Sequence, residues 1–227
     1  MNNIHERSPV DVSEFLHYLA SHPEAEGGLP SLTELSRELG ISVAALREQL
    51  EVARALGLVD VRPRTGIRRR PFSFTPAVCQ SLRYALALND GHFQQFAELR
   101  NHIESVYWNE AVARLTDEDK RRLAELVERA RQKLRHNPVQ VPHEEHRELH
   151  LLIYSRLNNP FVSGLLEAYW DSYEAVGLNL YAGNMDYLNE VWEYHARMVE
   201  SVCKGKYEAG RQALIKHADL LSQRPAE

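Results

Sequence analysis

His146 and His150 stand four residues apart in PHEEHRELHLLIYSRL. On a helix that spacing projects both rings from one face, where two imidazoles can ligate a single metal ion. Two further histidines follow downstream, His195 in EYHARMVESV and His217 in ALIKHADLL, each bordering the apolar face of an amphipathic stretch. Spacing alone leaves open whether the four converge, because surface helices also carry histidines freely. A second chemistry lies nearer the N-terminus. Arg62, Arg64, Arg68, Arg69 and Arg70 crowd one short stretch with no acidic residue between them, a cluster able to neutralise several phosphates at once.

The elements that must position those arginines are written in residues 29–70, LPSLTELSRELGISVAALREQLEVARALGLVDVRPRTGIRRR. Ser31 caps a first helix in which Leu32, Leu35 and Leu39 recur at helical spacing; Gly40 stops it, and Ser42 caps a second helix running to Gly57. The period then changes. Leu58, Val59 and Val61 suit a strand, Arg64-Thr65-Gly66 a turn, and residues 67–70 a returning strand. Two helices joined by a tight glycine turn and followed by a hairpin form the layout of a winged helix-turn-helix, whose second helix can enter a DNA major groove. A preceding helix over 10–21, ended by Pro23 and Glu26-Gly27-Gly28, presents Val12, Phe15, Leu16 and Leu19 on one side.

From Thr75 onward the pattern is helical, interrupted at Asn89-Asp90-Gly91, Thr116-Asp117, Asn137-Pro138, Asn158-Asn159-Pro160, Gly183-Asn184 and Lys204-Gly205-Lys206. These breaks imply about seven helices and no strand. The fold class is therefore mainly α: an N-terminal winged helix-turn-helix domain over 1–71, a linker over 72–76, and an all-α antiparallel helical bundle over 77–227. Leu151, Leu152, Ile153, Leu165, Leu166, Val199 and Leu214 are core candidates. Tyr107, Trp108, Tyr169, Trp170, Tyr173, Tyr181 and Trp192 concentrate aromatic surface in this half, as ordinary core or as the lining of a cavity or subunit contact.

A chain of 227 residues with 44% hydrophobic composition can build two packed cores. Its net charge of -5 confines any DNA contact to the local arginine patch. Cys79 and Cys203 are too few and too far apart for a disulfide framework or a cysteine zinc site. No apolar run reaches membrane-spanning length, and MNNIHERSPVDVSEF lacks the order of a secretion signal. The expectation is a cytoplasmic protein without a membrane partner.

The chain resembles the GntR superfamily of bacterial transcription regulators, in the FadR-like group with the all-helical FCD ligand-sensing domain. The resemblance rests on LPSLTELSRELGIS, AALREQLEVARALGLV and the wing RPRTG; on ELRNHIE with Glu98, Arg100 and Glu104; and on HRELH, the NNP turn and the later helices bearing His195 and His217. It implies a homodimer on a double-stranded DNA operator and a small organic acid effector. It also implies a metal site built from an aspartate, a histidine four residues later and two further histidines. His150, His195 and His217 match the three histidines, while His146 occupies the aspartate position. An all-histidine set favours a divalent ion such as zinc or nickel over harder ions that prefer carboxylates. Glu145 and Glu148 are displaced around the helix from the His150 face. Arg100 corresponds to the family's arginine near the pocket, suited to a bidentate contact with the effector carboxylate, or else to a salt bridge with Glu104 one turn on. Asn101, Tyr154 and Tyr173 are weaker pocket candidates.

The DNA-reading half departs from the family as well, with Thr33 and Val43 where arginines are common. Readout then leans on Arg47 in the major groove, with Ser42 for phosphate and Arg64, Thr65 and Gly66 of the wing near the minor groove. The expected function is a metabolite-responsive repressor with no catalytic residues. The rivals are an architectural DNA-binding dimer without effector, and a helical metalloenzyme with Glu145 or Glu148 as base, which leaves the helix-turn-helix unused.

Overall fold

The computed structural model describes residues 12–22, 28–62, 66–176 and 185–222. Arg64, Thr65, Tyr181, the Gly183-Asn184 break and the Pro23 to Gly27 stop signals lie outside the described residues. The chain divides into two compact units, Met1–Ala77 and Val78–Glu227, and among the described residues it holds ten helices and one two-stranded sheet.

The first unit comprises α1 (Glu14–Ser21), α2 (Leu32–Leu39), α3 (Val43–Ala55), β1 (Val59–Arg62) and β2 (Gly66–Arg69). Ser31 and Glu34 cap α2 reciprocally, side chain to backbone, the arrangement that satisfies two otherwise orphaned N–H groups. Gly40 ends the helix at φ 68°, a left-handed conformation that glycine adopts without steric cost. The Ser42 hydroxyl accepts from the Ala45 N–H and opens α3. That helix ends at Ala55, two residues before Gly57, and the antiparallel hairpin pairs Val59 with Arg69 and Val61 with Ile67. Phe15, Leu35, Leu46, Ala53, Val59 and Ile67 are buried in one core, whereas Val12 lies before α1 and is exposed. Gln49 on α3 joins the helices: its amide oxygen accepts from the Phe15 N–H at 2.9 Å, and its amide nitrogen donates to Glu14 at 2.6 Å.

The second unit is built from α4 (Thr75–Leu88), α5 (His92–Ala113), α6 (Asp117–Arg135), α7 (His143–Tyr154), α8 (Pro160–Val176), α9 (Met185–Cys203) and α10 (Tyr207–Ser222). The segment 72–76 is not wholly irregular, since α4 begins at Thr75; Pro76 is tolerated in a first turn, where its missing N–H has no intrahelical acceptor. Ile153, Leu166, Val199 and Leu214 are buried, while Leu151, Leu152 and Leu165 are half-buried. Asp119 closes a capping box with Thr116 and accepts two hydrogen bonds from Arg156, which fixes the start of α6 against the end of α7. Helix α5 packs against α7, α8 and α10, and α9 packs against α6 and α10.

The seat of α10 depends on Gly210. A Cβ there would lie 2.7 Å from Cζ2 of the fully buried Trp108, and the Trp108 indole N–H donates to the Tyr207 carbonyl at 2.8 Å. Gly210 shares a helix face with His217, two turns on, so this close approach also sets the height of that histidine. Helix propensity alone would make Gly210→Ala stabilising by up to about 1 kcal/mol, whereas overpacking a rigid ring costs about 1 to 3 kcal/mol. A net fall in Tm on thermal denaturation is expected; a rise would show that α10 can shift away from Trp108.

Candidate metal centre and nucleic-acid interface

The structure brings His146, His150, His195 and His217 together. One ligand atom from each lies within 4.8 Å of the others, and all four residues are buried. Helix α7 supplies the first pair by its four-residue spacing, α9 supplies His195, and α10 supplies His217. The Nε2 atoms of His150 and His195 are 3.1 Å apart. His146 meets the edge of Trp170 at 4.7 Å between centroids, and the rings of His195 and His217 are 4.4 Å apart. Burial pushes all four imidazoles below the ordinary histidine value, and the neighbouring histidines push His146, His195 and His217 further down. The cluster is therefore neutral, which is the form that ligates metal.

These donors fit a divalent cation of borderline character. His146 Nε2 and both ring nitrogens of His217 have no hydrogen-bond partner among the described residues, a costly arrangement for buried polar atoms unless something else satisfies them. Four imidazole nitrogens arranged tetrahedrally around such an ion stand roughly 3.3 Å apart, close to the spacing of the His150 and His195 pair. The two carboxylates flanking His146 on α7 face elsewhere. Glu145 pairs with Lys133 at 2.9 Å, and Glu148 with Arg129 at 3.2 Å and with Arg122.

Beside the cluster, Arg100 and Glu104 on α5 form a fully buried ion pair, Nη1 to Oε2 at 2.9 Å. The other carboxylate oxygen accepts from His150 Nδ1 at 3.0 Å. Burial opposes ionisation of Glu104, but Arg100 and His150 outweigh it and hold the carboxyl below its usual range. A carboxylate only accepts, so His150 Nδ1 carries the proton and its Nε2 presents a lone pair to the cluster. The Arg100 guanidinium lies 4.4 Å from the Tyr169 ring centroid and 5.3 Å from that of Trp170.

Asn101 accepts a second bond from Arg100 Nη1 at 3.0 Å. Tyr173 is buried, its ring nearly perpendicular to that of His146 with the centroids 6.0 Å apart. Tyr154 is buried; its hydroxyl donates to the Glu104 backbone carbonyl at 2.9 Å, and burial raises its pKa well above the ordinary tyrosine value. Sequence reasoning placed Tyr169, Trp170 and Trp192 only within an aromatic-rich half. Their signal was the spacing of Tyr169 and Trp170 from Tyr173, four and three residues on α8, which puts them on neighbouring faces.

In the first unit Arg47 is exposed on α3, and Ser42 is exposed at its N-terminus with its oxygen engaged as the cap. The first turn of α3 contains no acidic residue, which leaves the positive end of the helix dipole open to a phosphate. Gly66 is exposed, with φ 73°, and begins β2 rather than sitting within a turn. The wing is less uniformly basic than its linear sequence suggests. Asp60, opposite Arg68 in the ladder, pairs with Arg62 at 2.7 Å, and Arg69 donates to the His22 carbonyl. Arg68 and Arg70 remain exposed. Among the described residues no helix is long and apolar enough to cross a membrane.

The FCD domain family model matches residues 95–220, more than half of the chain. No curated protein matches the sequence. Among solved structures, the chain is similar to a Streptococcus agalactiae GntR protein, with a TM-score of 0.68 and 18% identity over 91% of this chain and 94% of that one. It is similar to E. coli McbR/YncC, with a TM-score of 0.51 and 20% identity over 94% and 99% of the two chains. A third likeness is to Lar, described as controlling expression of the Listeria monocytogenes agr system, with a TM-score of 0.50 and 15% identity over 95% and 98%. With its helical unit matched to the family model over more than half of its length, the chain belongs to the FCD domain family.

Proposed function

We propose that the protein is a metabolite-responsive transcription regulator. It binds a palindromic operator as a homodimer, acts as a repressor, and senses a small organic acid in the helical unit. The observation that carries this reading is the buried convergence of four neutral histidines with Arg100, in a chain whose other unit is a capped helix-turn-helix with an arginine-bearing wing. The control of gene expression described for Lar supports the regulatory part. FCD domains are often metal-associated, which supports reading the four histidines as ligands.

His146, His150, His195 and His217 would hold the cation, with zinc or nickel suited to an all-imidazole set. When bound, such an ion supplies a Lewis-acid anchor for a carboxylate. Arg100 offers the second charge for that group, and the aromatic faces of Tyr169, Trp170 and Tyr173 exclude water and strengthen the contact. Asn101 and Glu104 orient the guanidinium. An effector acts on DNA binding only through unequal affinity for the DNA-competent and incompetent states.

In the first unit Arg47 reads a base edge, Ser42 meets a phosphate, and Arg64, Thr65 and Gly66 lie along the minor groove. Genomic fragments retained by the purified protein should share one short palindrome. On that operator Arg47→Ala is expected to cost about 1 to 3 kcal/mol, measured by fluorescence anisotropy at fixed salt; an unchanged affinity removes Arg47 from base readout. In the helical unit His150→Ala should lower the metal content of the purified protein and abolish thermal shifts produced by organic acids. Equal metal in both proteins would overturn the ligand set. The lowered histidine pKa values also fix a sign. Below the ordinary value of 6.5 the unfolded chain takes up protons that the buried imidazoles refuse, so the folded state loses stability as pH falls. Each such histidine contributes up to about 1.4 kcal/mol per pH unit. Calorimetry of chelator-treated protein should show Tm falling between pH 7.5 and 5.5, with a shallower fall in His217→Gln; a flat profile would mean that the rings titrate freely.

A further inference from the structure

Glu104 is in contact with a guanidinium and a neutral imidazole at once. Its Oε2 holds Arg100 Nη1 at 2.9 Å, and its Oε1 holds His150 Nδ1 at 3.0 Å. The side chain is wholly buried, so water screens neither contact. All four candidate ligand side chains are imidazoles, so the set itself brings no negative charge to a cation. Among the described residues Glu104 is the carboxylate that hydrogen-bonds to a histidine of this cluster.

We infer that Glu104 is a positioning residue shared between the histidine cluster and Arg100, so that the arginine restrains cation affinity by holding part of the carboxylate's charge. The inference rests on the proposed cation site and adds to it the source of the missing negative charge. Through His150 Nδ1, Glu104 fixes the tautomer that points a lone pair into the cluster and raises the basicity of that ring. Whatever charge it gives to the guanidinium it withholds from the imidazole. Direct repulsion between Arg100 and a cation would be a different mechanism, and it is separable because it does not pass through Glu104.

The test is a double-mutant cycle read by zinc affinity, in competition with a chromogenic chelator, on chelator-stripped full-length protein. Glu104→Gln should weaken zinc binding roughly 10- to 100-fold. Arg100→Met, which leaves the carboxylate to His150 alone, should tighten it roughly 3- to 10-fold. The gain from Arg100→Met should vanish in the Glu104→Gln background. Glu104→Gln strands a buried guanidinium and can fail to fold. The double variant removes both charges and should still show the weakened affinity. A Co(II) absorption band altered by Glu104→Gln would give a spectroscopic signature that a purely structural role does not produce. Unchanged affinity in Glu104→Gln or in the double variant overturns the inference. So does a gain from Arg100→Met that persists without the carboxylate, which would assign the effect to direct repulsion. If the unaltered protein binds no zinc, nickel or cobalt, the cation reading falls first, and this inference with it.

Discussion

A charge buried without a partner is among the most expensive features a fold can carry, and the second unit is arranged around avoiding it. Arg100 and Glu104 lie one turn apart in the interior of α5, shielded from solvent. Removing either would leave the other uncompensated, at a cost of about 3 to 5 kcal/mol. Their neighbours are correspondingly specific. Tyr154 from α7 hydrogen-bonds the Glu104 carbonyl, Arg211 from α10 hydrogen-bonds the Ser105 carbonyl, and Trp108 one turn on receives the close approach of Gly210. Helix α5 is thus fixed by polar contacts as well as by packing, and the elements bearing histidines are fixed to it.

The histidine cluster makes the opposite kind of demand. Four imidazoles in a dry interior give up their hydration, and several of their nitrogens find no partner among the described residues. A core of similar volume built from leucine and phenylalanine would be more stable. Sites where a sequence works against its own stability are those where function is expected, and here one ligand atom from each of the four rings lies within 4.8 Å of the others. The aromatic rings of Trp170, Trp192 and Tyr173 close around His146, whose Nε2 has no hydrogen-bond partner among the described residues.

Local rules made much of this legible. Ser31, Gly40 and Ser42 announce their helix ends through cap chemistry that depends on neighbouring residues alone, and the breaks near 89–91, 116–117, 137–138, 158–160 and 204–206 fall at the ends of described helices of the second unit. The spacing of His146 and His150 placed two rings on one face, and that of Arg100 and Glu104 allowed the ion pair that forms, as the alternative to an effector contact. What stayed hidden depends on contacts distant in sequence. Glu104 meets His150 across 46 residues, and Arg69 meets the His22 carbonyl across 47. The run of wing arginines looked unopposed because Asp60 comes to face Arg68 only once the hairpin register is set. The Tyr154 hydroxyl likewise meets the backbone of α5 across 50 residues.

On the proposed reading, these constraints say how an organic acid could be felt beyond its own contacts. An incoming carboxylate that engages Arg100 competes with Glu104 for the same guanidinium. Glu104 cannot simply withdraw, because it is wholly buried and has no water to turn to. Its remaining partner is His150, so charge released by Arg100 is taken up on α7, at a ring that also faces α9 through His195. A packed core has few intermediate arrangements, and a change of partner at one buried carboxylate is resolved by discrete shifts of the helices that hold its partners. On that reading the Arg100–Glu104 ion pair would be the contact through which an effector's presence is transmitted.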